Sequence, residues 1–132
     1  MLEYVYLAGG TNSSWRRELE ERWIHRTGRT DLCLIDPFVD SKQGSVYEFT
    51  RDDLAWVAKS CLVFGYVDYH SYTGTALEFG YAHALGKPIV YVTNQPRVDS
   101  MMAAVASAVF TDLGAAARYA ERYLPKLPEV PE

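Results

Sequence analysis

The feature that most constrains the fold is the alternation of short apolar runs with stretches whose apolar residues recur at helical spacing. Residues 2–8, 31–36, 61–67 and 88–93 form apolar runs of strand length. The stretches between and after them predict helices over residues 14–27, 53–60, 75–85, 100–108 and 113–124. Such an alternation is typical of a parallel β-sheet covered by helices on both faces. The sequence therefore predicts an α/β domain.

Length and composition agree with one domain. The chain has 132 residues, of which 48% are hydrophobic and 23% are charged, a balance typical of a single soluble core. We expect that domain to span residues 1–124 and to be followed by a loosely ordered, proline-rich tail over residues 125–132. Residues 37–49 read as a long connection without a clear period. Long connections in compact domains are often functional.

Charge and residue usage exclude several classes of partner. The net charge of -4 argues against a nucleic-acid polymer, because binding to a phosphate backbone needs clustered lysine and arginine. The chain start resembles no signal peptide, and no run reaches the roughly 18 apolar residues of a membrane span. We therefore expect a cytoplasmic protein that does not bind membranes. Cys33 and Cys61 lie in apolar runs and are predicted to be free thiols. The histidines have no metal-ligand spacing, so neither a metal nor another cofactor is expected.

The most specific motif lies in residues 72–88, YTGTALEFGYAHALGKP, directly after a predicted strand and its polar loop. Here the chain resembles the nucleoside 2-deoxyribosyltransferase family, in which a glycine, three residues and then Glu-x-Gly-x-Ala open a helix. The residues at matching places are Gly74, Glu78, Gly80, Ala82, Gly86 and Lys87. Two further stretches match, residues 4–10 and residues 53–56 with the following Ser60 and Cys61. The resemblance thus covers about residues 4–93.

The resemblance implies a fold, an activity and roles for particular residues. It implies a flavodoxin-like, Rossmann-like domain of three layers with a five-stranded parallel sheet. It implies an enzyme of nucleotide salvage that cleaves the N-glycosidic bond of a nucleoside or nucleotide and transfers the sugar to a free base. In this mechanism Glu78 attacks the sugar and forms a covalent ester, Asp53 helps to protonate the departing base, and the Tyr6 hydroxyl steadies the nucleophile. Family members build their pockets at subunit boundaries, so a homo-oligomer, at least a dimer, is expected.

Each of these three residues also has a purely structural explanation. Residues 75–78 fit a capping box, in which Glu78 would only return a hydrogen bond to the helix start. Asp52 or Asp53 could cap the helix predicted at residues 53–60. Tyr6 could be an ordinary core residue of an inward-facing strand. A carboxylate near a helix N-terminus is favoured in its ionised form by the helix dipole, which suits a nucleophile.

Four further residues are expected to contact the substrate. Gly9 and Gly10 follow the first strand in a tight turn, and Gly74 would let the substrate approach the backbone. Phe38 could stack on the base, although a plain turn explains residues 36–38 nearly as well.

The remaining expected contacts bear on the choice of substrate. Tyr72 stands where the deoxyribosyltransferases usually carry an aspartate that holds a sugar hydroxyl. Related hydrolases of nucleoside 5'-monophosphates have serine there, and Ser71 is one place off. Ser100 and Met102 resemble a family segment that reaches a neighbouring subunit's pocket, although Ser100 could also cap a helix. Hydrolysis of a nucleoside 5'-monophosphate and a catalytically silent nucleotide-binding module are therefore the alternatives to transfer.

Overall fold

The computed structural model describes residues 2–11, 13–68 and 72–127. The strands within these ranges are β1 (Glu3–Gly9), β2 (Leu32–Ile35), β3 (Ser60–Val67), β4 (Ile89–Thr93) and β5 (Ala108–Phe110). The helices are α1 (Trp15–Glu20), α2 (Pro37–Asp40), α3 (Val46–Lys59), α4 (Thr73–Ala84), α5 (Ser100–Val105) and α6 (Leu113–Ala120). A π-helical turn, Glu21–His25, continues α1, and a 3-10 turn, Glu121–Tyr123, follows α6. None of the helices in the described ranges has the length and apolarity to cross a bilayer.

The strands form one sheet in the order β2-β1-β3-β4-β5, and every neighbouring pair is parallel. The predicted five-stranded parallel sheet is therefore confirmed, and its order is the flavodoxin-like one. Strand β1 lies inside the sheet, where Tyr6 is level with Ile35 of β2 and Val63 of β3. The order of the strands reverses next to β1, and ligands of such folds bind at the carboxyl ends of the strands beside that reversal.

Alternate side chains of the strands enter two separate cores. Val5 and Leu7 of β1 face the core that α1 and α6 cover, and Trp15, Leu19 and Trp23 are buried in it. Tyr6 and Ala8 face the opposite core, which contains side chains of α3, α4 and α5. The two-residue period of a strand thus sends Tyr6 towards α4.

The segment between β2 and β3 is more helical than the sequence predicts. Residues 37–49, expected to be a connection, contain α2 and the first turn of α3. The Ser45 hydroxyl begins α3 by accepting a hydrogen bond from the Glu48 backbone N–H at 3.1 Å. The sequence does not show the amphipathic period of this first turn, because its apolar residues Val46 and Tyr47 are exposed instead of facing the core. Asp53 consequently lies in the middle of a helix of 14 residues.

The predicted helix over residues 100–108 is also wrong at its end. Helix α5 stops at Val105, and β5 begins at Ala108. Two hydrogen bonds fix this change, from the Ser107 backbone N–H to the Ile89 carbonyl at 2.7 Å and from the Ile89 N–H to Ser107 Oγ at 3.1 Å. Because β5 is short and held by pairing with β4, local sequence pattern does not reveal it.

One glycine brings α4 close to the sheet. A Cβ atom placed on Gly65 of β3 would lie 2.3 Å from the ring of Phe79. Only glycine therefore lets the Phe79 ring pack directly on the strand. This contact fixes the height of α4 above the sheet, and the residue before Phe79 is Glu78.

Candidate active site

A cleft of about 400 Å³ lies at the carboxyl end of β1, bordered by α2, α3 and α4. Its wall includes most of the residues that the sequence singled out, namely Gly9, Gly10, Phe38, Asp53, Gly74 and Glu78. Its other lining residues are Thr11, Pro37, Gln43, Phe49 and Thr75. The volume is within the range of sites for small molecules. The fold thus gathers carboxylates from α3 and α4 at one edge of the sheet.

The central contact of the site joins Tyr6 and Glu78. The Tyr6 hydroxyl donates a hydrogen bond to Glu78 Oε2. Both residues are buried, with exposures of 0% for Tyr6 and 7% for Glu78. Helix α4 begins at Thr73, so Glu78 lies in its second turn, beyond the third helical position that a capping box requires. The capping-box explanation of Glu78 is therefore wrong.

Burial sets the protonation of this pair. The pKa of Glu78 is raised to about 8. Loss of contact with water is the largest cause, the hydrogen bond from Tyr6 acts in the opposite direction, and the nearby carboxyl of Asp53 also raises the pKa. The expectation that the helix dipole keeps Glu78 ionised is thus not met, because burial favours the protonated form more strongly. Burial and the adjacent Glu78 also raise the pKa of Tyr6, so its hydroxyl stays protonated and remains a donor.

Asp53 faces the same cleft from α3. Its Oδ1 atom is buried and accepts no hydrogen bond from the described part of the chain. Burial is the main cause that raises the pKa of Asp53. Ser45 caps α3 eight residues earlier, which excludes the capping explanation of Asp53. A carboxyl with one unpaired buried oxygen and a raised pKa can carry a proton to a bound molecule.

The backbone of the Gly9–Gly10 turn forms one wall of the cleft. Gly9 has a φ of +129°, and a Cβ atom there would lie 2.0 Å from the Tyr66 carbonyl oxygen. Any other residue would therefore be strained and would collide with β3. Arg16, which the sequence analysis did not single out, donates to the carbonyl oxygens of this turn.

Gln43 and Phe49 were also not predicted as site residues. Both belong to the long connection that follows β2, and the functional bias of such connections is the one signal that pointed to them. Gln43 Nε2 donates to the carbonyl oxygens of Pro37 at 2.9 Å and Ser41 at 2.8 Å. These bonds fix the loop that carries Gln43 into the cleft.

Three predicted contacts lie away from this cleft. The Tyr72 hydroxyl donates to Asp99 Oδ2 at 3.0 Å, and both residues border a second cleft of about 430 Å³ together with Ser100. Met102 is 2% exposed in the core between α5 and the sheet, so it does not line the cleft of its own chain. Ser100 is not the cap of α5, because Asp99 Oδ1 accepts the hydrogen bond from the Met102 backbone N–H. Ser71 lies outside the described residues.

No group of three or more histidine, cysteine, aspartate or glutamate side chains that could hold a metal ion is found in the parts of the chain that the structure describes. The strand order and the position of the cleft identify the class of protein. It is a doubly wound α/β domain of the kind that binds a small ligand at the carboxyl edge of a parallel sheet. The sequence profile described as nucleoside 2-deoxyribosyltransferase matches residues 5–114, and the chain belongs to that family.

Solved structures of the same fold cover nearly the whole chain. A 2-deoxyribosyltransferase from Bacillus psychrosaccharolyticus is 22% identical with a TM-score of 0.68, covering 96% of this chain and 99% of its own. A 2-deoxyribosyltransferase from Leishmania mexicana is 17% identical with a TM-score of 0.62, covering 91% and 97%. The CMP N-glycosidase BcmB from Clostridium botulinum is 17% identical with a TM-score of 0.59, covering 92% and 100%. No protein of curated function matches the sequence significantly. At these identities the likeness shows the fold alone.

Proposed function

We propose that the protein is a nucleoside 2-deoxyribosyltransferase that cleaves the N-glycosidic bond of a 2'-deoxynucleoside and passes the sugar to another base. The observation that carries this proposal is the buried Glu78, which faces the cleft, accepts a hydrogen bond from the Tyr6 hydroxyl and lies near Asp53. Membership of the family supports the reaction class. A buried carboxylate held by one donor suits a nucleophile, because its orientation is fixed and few waters compete with the substrate.

The reaction then proceeds by two displacements at the anomeric carbon. A Glu78 oxygen attacks that carbon, the bond to the base breaks with its electron pair on the base nitrogen, and Asp53 gives that nitrogen a proton. A second base attacks the resulting ester, Glu78 leaves as a carboxylate, and the proton of the incoming base returns to Asp53. Two inversions give net retention. Tyr6 holds the attacking oxygen in place throughout.

Two aromatic rings favour a base as one part of the substrate. Phe38 of α2 and Phe49 of α3 both line the cleft. Aromatic faces stack on nucleobases with little dependence on their identity. Gly9 and Gly10 leave room for the sugar beside the carboxylates.

A second candidate is hydrolysis of a nucleoside 5'-monophosphate. It is favoured by the start of α4, where the side chain of the N-cap residue Tyr72 makes no capping hydrogen bond and Gly74 and Thr75 line the cleft. Free backbone N–H groups at a helix start suit a phosphate. Tyr72, which stands where the deoxyribosyltransferases usually carry an aspartate for a sugar hydroxyl, donates to Asp99 instead.

Product analysis distinguishes these reactions. The purified protein is incubated with 2'-deoxynucleosides, ribonucleosides and their 5'-monophosphates, with and without a free purine, and products are separated by chromatography. A new nucleoside that forms only with added purine establishes transfer. Free base released from a monophosphate without an acceptor establishes hydrolysis. Binding of these compounds without any product, and identical to that of the Glu78→Gln variant, overturns the enzymatic proposal and indicates a silent binding module.

A further inference from the structure

Arg16 sits behind the cleft with its guanidinium almost wholly engaged by backbone. Nη1 donates to the Gly10 carbonyl at 2.8 Å, and Nη2 donates to the carbonyls of Leu7 at 2.8 Å and Gly9 at 3.1 Å. Nε approaches the Leu7 carbonyl at 3.3 Å. The side chain is only 13% exposed. Arginine, with its planar fork of five donors, can hold several carbonyl oxygens at once.

The same guanidinium also connects the turn to α2. Its central carbon lies 5.2 Å from the centre of the Phe38 ring and 4.4 Å from that of Trp15. Nε is 3.7 Å from Asp36 Oδ1, and Asp36 begins α2 by accepting the Phe38 backbone N–H at 3.0 Å. Trp15 adds a donor of its own to the Gly10 carbonyl at 2.9 Å. Arg16 is thus bound both to the Gly9–Gly10 wall and to the Phe38 wall of the cleft.

We propose that Arg16 is a positioning residue of the active site, whose buried guanidinium holds the Gly9–Gly10 turn and Phe38 in register and places a positive charge behind Glu78. With its donors taken by the protein, Arg16 does not bind the substrate itself. It acts on the reaction through the cleft walls and through its charge. The proposal deepens the proposed function and rests on it.

The positive charge of Arg16 also acts on the acidic groups of the site. Burial lowers the pKa of Arg16, whereas the acidic groups Asp36, Tyr6, Glu78 and Asp68 around it raise this pKa. The influence is mutual, since Arg16 is one of the groups that lower the pKa of Glu78. A neutral side chain at this position would leave the carboxyls of the site without their neighbouring cation, and ionised Glu78 would become less favourable.

The two contributions can be separated by two substitutions. Arg16→Gln removes the charge and most donors, whereas Arg16→Lys keeps the charge but has no planar fork and no stacking surface for Phe38. The adjacent, exposed Arg17→Gln is the matched control on the same helix. For each protein, kcat and KM are measured across pH with the substrate that product analysis identifies, and melting temperatures are recorded.

For Arg16→Lys we expect KM to rise about tenfold or more, with the acidic limb of kcat/KM close to its wild-type position. For Arg16→Gln we expect the same rise in KM and an acidic limb displaced to higher pH. Arg17→Gln should leave both quantities unchanged. Arg16 variants that melt earlier but keep wild-type KM and pH profile would overturn the proposal and reduce Arg16 to a structural residue. If Arg16→Gln does not fold, Arg16→Lys alone tests the proposal. An unchanged KM in Arg16→Lys would show that the planar guanidinium does not position the cleft walls.

A readout without turnover separates this proposal from the proposed function. In the ligand-free protein, hydrogen exchange of the Gly10 amide, which donates to the Tyr66 carbonyl at 3.2 Å, reports on the turn. Faster exchange in Arg16→Lys than in Arg17→Gln supports the proposal that Arg16 holds the Gly9–Gly10 turn, even if no substrate is cleaved. Equal exchange in the two variants contradicts it even if the wild type is fully active.

Discussion

The hydroxyl of Tyr6 donates a hydrogen bond to the carboxylate of Glu78, although the two residues are 72 positions apart in the chain. The bond is possible because Tyr6 points from β1 towards α4 and because Gly65 lets Phe79 draw α4 onto the sheet. Local folding of β1 or of α4 alone cannot bring the hydroxyl and the carboxylate together. The pair therefore depends on the completed fold.

Replacing Glu78 should abolish turnover while the fold persists. Glu78→Gln keeps the shape of the side chain but cannot attack the sugar, so we expect kcat to fall by at least about a thousandfold. Glu18→Gln, an exposed glutamate on α1, is the control and should behave as wild type. Mass spectrometry of quenched wild-type enzyme should show a sugar adduct on Glu78. A Glu78→Gln variant with wild-type rates would remove the proposed nucleophile.

Activity should depend on pH through the ionisation of Glu78. The profile of kcat/KM reports the free enzyme, in which burial raises the pKa of Glu78 to about 8. Since only the carboxylate attacks, the acidic limb of kcat/KM should have its midpoint near that value. Tyr6→Phe removes the hydrogen bond that lowers the pKa of Glu78, so its rise should occur at higher pH. An identical profile for wild type and Tyr6→Phe would show that the hydroxyl does not tune the nucleophile.

The raised pKa of Glu78 also makes stability depend on pH. Between its ordinary value of 4.5 and about 8 in the folded protein, the folded state binds more protons than the unfolded state. The associated stability is complete below 4.5 and is lost as pH rises towards 8. Glu78→Gln does not titrate, so we expect it to gain on wild type by a few kcal/mol between pH 5 and pH 9 in urea unfolding. A constant difference across this range would contradict the buried, proton-binding state of Glu78.

Asp53→Asn should slow cleavage most for bases that leave poorly. An amide cannot supply a proton, and general acid catalysis contributes typically about a hundredfold or more. Rates are compared for a series of nucleosides whose bases differ in basicity. Asp52→Asn is the neighbouring control. Asp52 does not line the cleft, and its Oδ2 accepts a hydrogen bond from the Lys42 backbone N–H at 2.8 Å. If good and poor leaving groups respond equally to Asp53→Asn, Asp53 is not the acid.

The sequence predicts the part of the site that depends on local spacing and on family resemblance. The apolar alternation located four of the strands, and the motif around Glu78 located the nucleophile candidate with Gly74. What it could not predict depends on contacts between distant segments. Strand β5 exists through its pairing with β4, Arg16 is recognised only by the carbonyls that it reaches, and Met102 was assigned to a pocket although it packs in the core.

The last prediction is a homo-oligomer, and the exposed apolar surface that favours it lies along α4. Residues 101–108 are nearly all apolar, but helix α5 ends at Val105 and its Met102 is covered within the chain. Along α4 and its C-cap residue, three apolar side chains follow one face and stay exposed, Leu77 at 53%, Tyr81 at 36% and the C-cap Leu85 at 45%. Met101, on the neighbouring α5, is 81% exposed.

A second copy that covers this face would bury apolar surface next to the helix that carries Glu78. A Cβ atom on Gly80 meets nothing within 4 Å in its own chain, so Gly80→Arg should leave the monomer folded and yet prevent a close helix contact. We expect wild type to sediment as a dimer or larger assembly and Gly80→Arg to sediment as a monomer with reduced activity. The family resemblance puts Ser100 at the neighbouring subunit's pocket. Mixing inactive Glu78→Ala chains with inactive Ser100→Trp chains should then restore part of the activity, because one mixed pocket carries neither change. A monomeric wild type with full activity at assay concentration would refute this assembly.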